Sequence, residues 1–194
     1  MIRGRLEAFS DGVLAIILTI MVLDLKVPAR SDISALRPLI PVFLGYTLSF
    51  VHVGIYWNNH HHTFQAVRSV NGAVLLANLH LLFWLTLIPF TTNWMGLSNF
   101  ATWPVAVYGI VLLMSAVAYT ILIRVLIRHE GRDSTLAKAI AGDFKGKLSL
   151  VLYAIAIPVA LLQPWTACAI YCAVAAIWLI PDSRIETTIT RTES

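Results

Sequence analysis

Six apolar segments, separated by short polar connections, restrict what this 194-residue chain can fold into. The first four segments are close to the roughly 20 residues that a helix needs to span a bilayer, and the last two are shorter. Hydrophobic residues make up 58% of the chain and charged residues only 12%, which is about half the charged share of a soluble domain. We therefore predict an all-α integral membrane protein with six transmembrane helices, organised as a single domain over residues 1–194.

Prolines and polar clusters bound the predicted spans. The spans cover residues 6–25, 36–57, 73–90, 103–127, 148–162 and 165–180. The last two are short and joined by a tight turn, which predicts a helical hairpin. The long polar connection over 128–147 is expected to be a solvated loop with at most a short amphipathic helix, and the tail 182–194 a frayed end.

Positive charge is distributed unevenly between the two sides of this arrangement. If both termini are inside, the outside holds only Lys26, Arg30 and Arg37. The inside then holds eleven of the fourteen basic residues: Arg3, Arg5, Arg68, Arg124, Arg128, Arg132, Lys138, Lys145, Lys147, Arg184 and Arg191. This asymmetry predicts a multi-pass protein of the cell membrane with both termini in the cytoplasm. The net charge of +4 is explained by these loops, so the expected partner is the lipid bilayer and not nucleic acid.

The first predicted span begins with charged and hydroxyl residues, which is unusual for a helix that enters a bilayer. Arg5, Glu7, Ser10 and Asp11 all fall within its first turns. Charges in such a position are costly unless they pair with polar groups on neighbouring helices. We therefore expect Arg5, Ser10 and Asp11 to form a hydrogen-bonded cluster with a histidine or asparagine of the second or third span.

One face of this helix carries a stripe of bulky residues. Positions 5, 9, 12, 16, 19 and 23 step by four and three, so they align along the helix. The stripe contains Phe9, Ile16, Thr19 and Leu23. From the residues alone it suits a close helix–helix seam, which is the commoner case, or a pore wall in which a ring of aliphatic side chains gates by expelling water.

The pattern Arg-x-x-x-Phe-Ser-Asp, formed by Arg5, Phe9, Ser10 and Asp11, resembles the signature of the transmembrane protein 175 family of potassium channels. Weaker matches lie in the second and third spans. They are Trp57, His60 and His61, which are similar to the family's Trp-x-x-His-His pattern, and Asn78 followed by Leu87, Pro89 and Phe90, which are similar to its Leu-x-Pro-Phe element.

The resemblance implies a homotetrameric, potassium-preferring channel that conducts passively through a central pore lined by the first helix. It implies a constriction at Ile16, a second apolar layer near Ile20 or Leu23, and a Thr19 hydroxyl linked to cation selectivity. Potassium is then the permeant ion, and no cofactor is expected. The supporting motif network that it implies consists of Arg5, Phe9, Ser10, Asp11, Trp57, His60, His61 and Asn78.

Two other functions stay open at this point. A proton-coupled or proton-translocating transporter would use Asp11 and the histidines as a relay, and a non-conducting assembly protein would use the polar cluster only for helix packing. An enzyme is not expected, because no nucleophile, base and orienting group can be identified. The histidines at 52 and 60–62 do not favour a metal site, since three consecutive histidines on a helix point in different directions.

Overall fold

The computed structural model describes residues 3–131, 133–140 and 143–180. All regular secondary structure in this part of the chain is helical. The α-helices are α1 (Arg3–Leu23), α2 (Ile40–Gln65), α3 (Gly72–Thr86), α4 (Ile88–Leu97), α5 (Thr102–Glu130), α6 (Thr135–Ile140), α7 (Phe144–Leu162) and α8 (Pro164–Leu179), and a 3₁₀-helix over Ile33–Leu39 precedes α2.

Five helical segments within the described ranges are long and apolar enough to cross a bilayer. They are Arg3–Leu23, Ile33–Gln65, Gly72–Leu97, Thr102–Glu130 and Phe144–Leu162. The sixth apolar helix, Pro164–Leu179, is shorter than a full span. The all-α, multi-helix membrane fold is therefore confirmed, and the sixth predicted span is a 16-residue helix, which rises about 24 Å at 1.5 Å per residue.

The second span extends further than the sequence predicts. The polar run over 58–62, expected to follow the helix, is helical and belongs to α2, which ends at Gln65. The polarity of this run does not end the helix because His60 and Thr63 are buried against other helices and find partners there.

At the opposite end of this span, the 3₁₀-helix begins after Asp32, whose carboxylate accepts hydrogen bonds from the Ser34 hydroxyl and the Arg30 guanidinium. These bonds, that from Ser34 first, hold the pKa of Asp32 below its usual value.

The third span does not close at Phe90. The chain breaks at Leu87 and continues as α4 to Leu97. Pro89 lies in the first turn of α4, where its missing N–H costs no hydrogen bond, so the proline starts this helix and does not stop it. Gly96 then lets α4 approach α2 closely, since a Cβ at this position would lie 2.7 Å from the Cα of Val42.

The part of the bundle that lies away from α1 is formed by α5, α7 and α8. The predicted hairpin is confirmed: Gln163 is the only residue between α7 and α8. The fully buried Tyr108 and Tyr171 meet edge to face with ring centroids 5.6 Å apart. The Tyr171 hydroxyl also donates to the carbonyl of Val105 at 3.2 Å, so α5 and α8 are joined by both packing and a hydrogen bond.

Three contacts place several helix ends at one end of the bundle. Arg3, at the start of α1, donates to the carbonyl of Phe64 near the end of α2. Glu130, at the end of α5, accepts from the backbone N–H groups of Arg68 and Ser69 in the α2–α3 connection. Lys145 donates to the carbonyl of Ile180 just after α8. The described N-terminal and C-terminal ends therefore lie on the same side. The tail 182–194 and Arg132 lie outside the described residues.

Candidate functional site

The first helix has two faces of different character. The residues at four- and three-residue steps that pack into the bundle are Leu6, Ser10, Leu14, Ile17 and Met21. The predicted stripe lies on the other side. Ile16 is 60% exposed, Ile20 45% and Leu23 75%, and Thr19 is also exposed. At 100° per residue these four positions fall within an arc of about 100°. The protomer thus leaves a continuous aliphatic strip uncovered.

Thr19 is the hydroxyl within this strip. Its Oγ1 donates to the carbonyl of Ala15 one turn earlier at 2.8 Å. This bond uses the hydroxyl proton, so the oxygen lone pairs remain available on the exposed side. An oxygen acceptor among aliphatic side chains is a group that a cation can contact.

A buried polar chain connects α1, α2 and α3 on the packed face of α1, nearer the N-terminus of α1 than the strip. His60 Nε2 donates to Asn78 Oδ1 at 2.8 Å, Asn78 Nδ2 donates to Ser10 Oγ at 2.9 Å, and Ser10 Oγ donates to the carbonyl of Leu6 at 2.9 Å. All three side chains are buried. The Asn78 amide has an acceptor oxygen on one side and a donor nitrogen on the other. Its oxygen therefore faces His60 and its nitrogen faces Ser10.

A second, more exposed group forms around Asp11. Trp57 Nε1 donates to Asp11 Oδ1 at 3.1 Å, which joins α2 to the middle of α1. The Trp57 ring stacks on His61 with centroids 5.9 Å apart. His61 Nε2 in turn accepts from the Gln65 amide at 2.9 Å. The structure therefore brings Asp11, Trp57 and His61 together, separately from the buried chain.

Arg5 differs from the expectation that it joins Asp11. Within the described part of the chain, the exposed Arg5 side chain makes no hydrogen bond or ion pair, and Phe9, next along the stripe, is 56% exposed. At positions 5 and 11 the side chains project from different sides of the helix, since a separation of six residues turns it by about 600°. The polar network within the protomer therefore excludes Arg5.

Arg3, two residues before Arg5, is the arginine of α1 that finds partners, although not those expected of Arg5. Its guanidinium pairs with Glu7 at 3.2 Å and donates to the carbonyls of Phe64 and Val67 at 3.0 and 2.9 Å. These carbonyls lie at the C-terminal end of α2, where the last backbone acceptors lack partners within the helix. Sequence reasoning missed this role, although the Arg3–Glu7 spacing of four residues was a visible signal.

A further polar cluster, also missed from sequence, lies towards the other end of the bundle. The Ser49 hydroxyl oxygen lies 2.6 Å from that of Thr92 and 3.1 Å from that of Tyr108, so the three hydroxyls are joined by hydrogen bonds. Thr92 also donates to the carbonyl of Ile88. These bonds join α2, α4 and α5, and small hydroxyl residues in apolar runs gave no sequence signal that they would meet.

The remaining histidines and the cysteines form no metal centre within the described residues, where no group of three or more histidine, cysteine or acidic side chains is placed to hold an ion. His52 Nδ1 donates to the carbonyl of Leu48 in its own helix, and its buried Nε2 has no hydrogen-bond partner among the described residues. His80 accepts from Trp84, also in its own helix. The hydrogen bonds described for these two histidines therefore stay within single helices. Cys168 and Cys172 are both free thiols.

Comparison with known proteins gives concordant matches. The profile of a family described as "Endosomal/lysosomal potassium channel TMEM175" matches residues 5–89. A potassium channel of Chryseobacterium sp. (strain P1-3) is 59% identical over 186 residues, which cover 96% of this chain and 97% of that protein. The human endosomal/lysosomal proton channel TMEM175 is 40% identical over 88 residues, 39% of this chain but only 18% of the human protein.

The fold has a close counterpart among solved structures. The crystal structure of a lysosomal potassium-selective channel TMEM175 homolog from Chamaesiphon minutus superposes with a TM-score of 0.79 at 29% sequence identity. The match covers 92% of this chain and 96% of the other. The match therefore includes the last three spans, which carry no sequence motif of the family and resemble it only in their number and length.

Proposed function

The chain belongs to the TMEM175 family, and from this membership we propose that it is a potassium channel, which conducts passively through a central pore lined by α1. It is a multi-pass membrane protein, and its family is one of channels and not of enzymes. The observation that carries the proposal is the uncovered aliphatic strip on α1. A helix whose other face is packed into the bundle presents Ile16, Ile20 and Leu23 outward together with one hydroxyl.

The pore requires several copies of the chain. A single α1 cannot enclose a channel, so the strips of neighbouring protomers must face a common axis. We propose a closed ring, which buries the same surface of every subunit, and we propose four subunits because the family resemblance implies a homotetramer. The large exposed area of aliphatic side chains on α1 supports this arrangement.

The strip supplies both a gate and a contact for the ion. A ring of Ile16 side chains, with a second layer at Ile20 and Leu23, forms a constriction too dry for a hydrated cation when closed. The Thr19 oxygens lie between these layers and can contact a partly dehydrated K⁺. In this mechanism the only ligand is the permeant ion, and no cofactor takes part.

The polar network holds α1 so that its strip faces the axis. The buried chain from His60 through Asn78 to Ser10, together with the Trp57–Asp11 bond, fixes the rotation of α1 relative to α2 and α3. The end of the bundle that carries Arg3, Arg68 and Glu130 is richest in basic residues. We therefore propose that this end faces the cytoplasm, which places both termini on the cytoplasmic side of the cell membrane.

Ion flux in liposomes tests this function. Purified protein should pass K⁺ in preference to Na⁺ without any coupled ion, and Ile16→Asn should raise basal flux and weaken that preference, because the amide lets water into the constriction. Ile155→Asn is the matched control, since Ile155 is 49% exposed on α7, which lies away from α1. Flux of the parent that depends on a proton gradient, or equal leakage from both variants, would contradict the proposal.

A further inference from the structure

A cavity of about 230 Å³ lies between α2, α5, α7 and α8. It runs along α5 from Ala116 to Ile127, a rise of about 16 Å at 1.5 Å per residue. Its interior is mainly aliphatic and aromatic. The side chains that shape it are Ile55, Tyr56, Ile123, Leu150, Tyr153 and Trp178. An elongated apolar space of this kind, set between membrane helices, suits a hydrocarbon chain better than a compact polar ligand.

The mouth of the cavity carries two cations. Arg124 and Lys147 line it and are exposed, and neither makes a hydrogen bond or ion pair with the described residues. Asp143 also lies at the mouth, but its carboxylate accepts the N–H of Gly146 at 2.8 Å and caps the start of α7. The two cations therefore outweigh one carboxylate that is already engaged, and the mouth favours an anion.

Three polar residues of α2 line the cavity, namely His52, Tyr56 and Asn59. The side chains of Tyr56 and Asn59 make no hydrogen bond within the described ranges. Each can donate a hydrogen bond to an oxygen acceptor. The order along the cavity is thus cations at the mouth, donors on the α2 wall and apolar surface inside.

We propose that this cavity binds an anionic phospholipid of the cytoplasmic leaflet. The phosphate lies against Arg124 and Lys147, the ester oxygens accept from Tyr56 and Asn59, and one acyl chain fills the apolar interior. Arginine and lysine are the usual partners of phosphate, and basic pockets between transmembrane helices recognise anionic headgroups on the cytoplasmic side. A soluble anion would leave the interior unfilled, and a zwitterionic phospholipid would bring the positive charge of its own headgroup to a mouth that already carries two cations.

The location gives such a lipid a structural consequence. Tyr56 and Asn59 flank Trp57 and precede His60, the residues through which α2 holds α1. A lipid seated here bridges that segment of α2 to α5 and α7. The assignment to the cytoplasmic leaflet rests on the proposed orientation of the channel, whereas binding itself requires no conduction.

Native mass spectrometry of the detergent-purified protein, with phosphatidylglycerol or phosphatidylcholine added, tests the site. The parent should retain phosphatidylglycerol over phosphatidylcholine. The double variant Arg124→Gln/Lys147→Gln should weaken that retention on the order of tenfold or more. The reason is that each basic residue near the membrane surface adds a similar amount to the free energy of binding an anionic lipid. Arg128→Gln is the matched control, because Arg128 is exposed one turn further along α5 and does not line the cavity.

A second variant separates the acyl chain from the headgroup. Ala116→Leu, or Thr120→Leu if the first fails to fold, fills the interior while keeping both cations, and should also weaken retention. Equal retention of both lipids, or an equal loss with Arg128→Gln, would overturn the site. Loss in the charge variant alone would overturn the inserted chain. Because bound lipid is counted without any flux measurement, a failure of the channel function leaves this result readable.

Discussion

At the scale of single residues, Asn78 is the junction on which the placement of α1 depends. It is the only side chain that bonds both His60 and Ser10 among the described contacts, and it is buried. Asn78→Ala leaves the His60 donor without its acceptor, which costs about 1–3 kcal/mol. At roughly 2–4 °C per kcal/mol for a chain of this size, we expect the melting temperature in detergent to fall by about 5 °C.

The matched control for Asn78 is Asn58→Ala. Asn58 lies on α2 near His60 but is exposed, so its loss should leave the melting temperature within about a degree of the parent, as surface changes usually do. Differential scanning fluorimetry of the parent and both variants makes the comparison. If Asn78→Ala melts with the parent, the buried chain contributes nothing to stability and its proposed role in orienting α1 fails.

Arg3 and Arg5 form a natural pair of variants, since they lie two residues apart with different surroundings. Arg3 donates to carbonyls at the end of α2, whereas Arg5 has no partner within the described chain. We expect Arg3→Gln to lower the stability of the protomer by about 1 kcal/mol, a charge-assisted bond discounted for partial exposure. Arg5→Gln should leave it unchanged. Thermal melts distinguish them, and a larger loss at Arg5 would reverse the assignment.

The two arginines also show what sequence reasoning could not resolve at this scale. The motif correctly indicated that the start of α1 needs polar partners, and Asp11, Ser10, His60 and Asn78 do find them. Which of two nearby arginines pairs depends on how α1 is rotated against α2, and hydropathy does not specify that rotation. The short distance from Arg3 to the end of α2 exists only once the helices pack.

At the scale of elements, the contact between Gly96 of α4 and Val42 of α2 sets how closely these two helices approach each other. Gly96→Ala would place a Cβ 2.7 Å from the backbone of Val42, which α2 can relieve only by moving away. Overpacking of this kind costs typically about 1–3 kcal/mol. We expect a lower melting temperature and weaker assembly, measured by fluorimetry and by the oligomer fraction in size-exclusion chromatography.

Gly54→Ala is the control for that substitution. Gly54 lies within α2 with nothing within 4 Å of its Cβ position, so alanine should be neutral or should stabilise the helix by up to about 1 kcal/mol. A loss at Gly54 equal to that at Gly96 would show that any added methyl group disturbs α2, and the close approach would not be the cause.

The elements themselves were predictable where hydropathy changes sharply and not where polar residues become buried. The α7–α8 hairpin follows from the Gln163–Pro164 break, and α1 from its long apolar run. The extension of α2 through His60 and the continuation of the third span as α4 could not be predicted from hydropathy. Polar residues and prolines usually mark the end of a helix, but here the polar residue is buried with a hydrogen-bond partner and the proline lies in the first turn of the next helix.

At the scale of the whole molecule, the charge asymmetry and the uncovered strip point to the same arrangement. Arg3, Arg68 and Lys145 lie towards one end of the bundle, and the strip on α1, from Ile16 to Leu23, lies in the half of that helix further from this end. Within one protomer these aliphatic side chains are left uncovered. Its exposure is explained if the strips of several copies converge, which gives the pore a wall and each subunit its neighbours.

Convergence on an axis predicts how thiols placed on α1 will behave. In a background with Cys168→Ala and Cys172→Ala, Ile16→Cys brings one thiol per subunit to the same height in the proposed tetramer. Thiolates are soft ligands that bind soft metal ions strongly. We therefore expect micromolar Cd²⁺ to block K⁺ flux through the Ile16→Cys channel. Leu14→Cys is the control, because Leu14 is only 2% exposed and faces its own bundle. Block at position 14 without block at position 16 would mean that the buried and pore-facing sides of α1 have been exchanged.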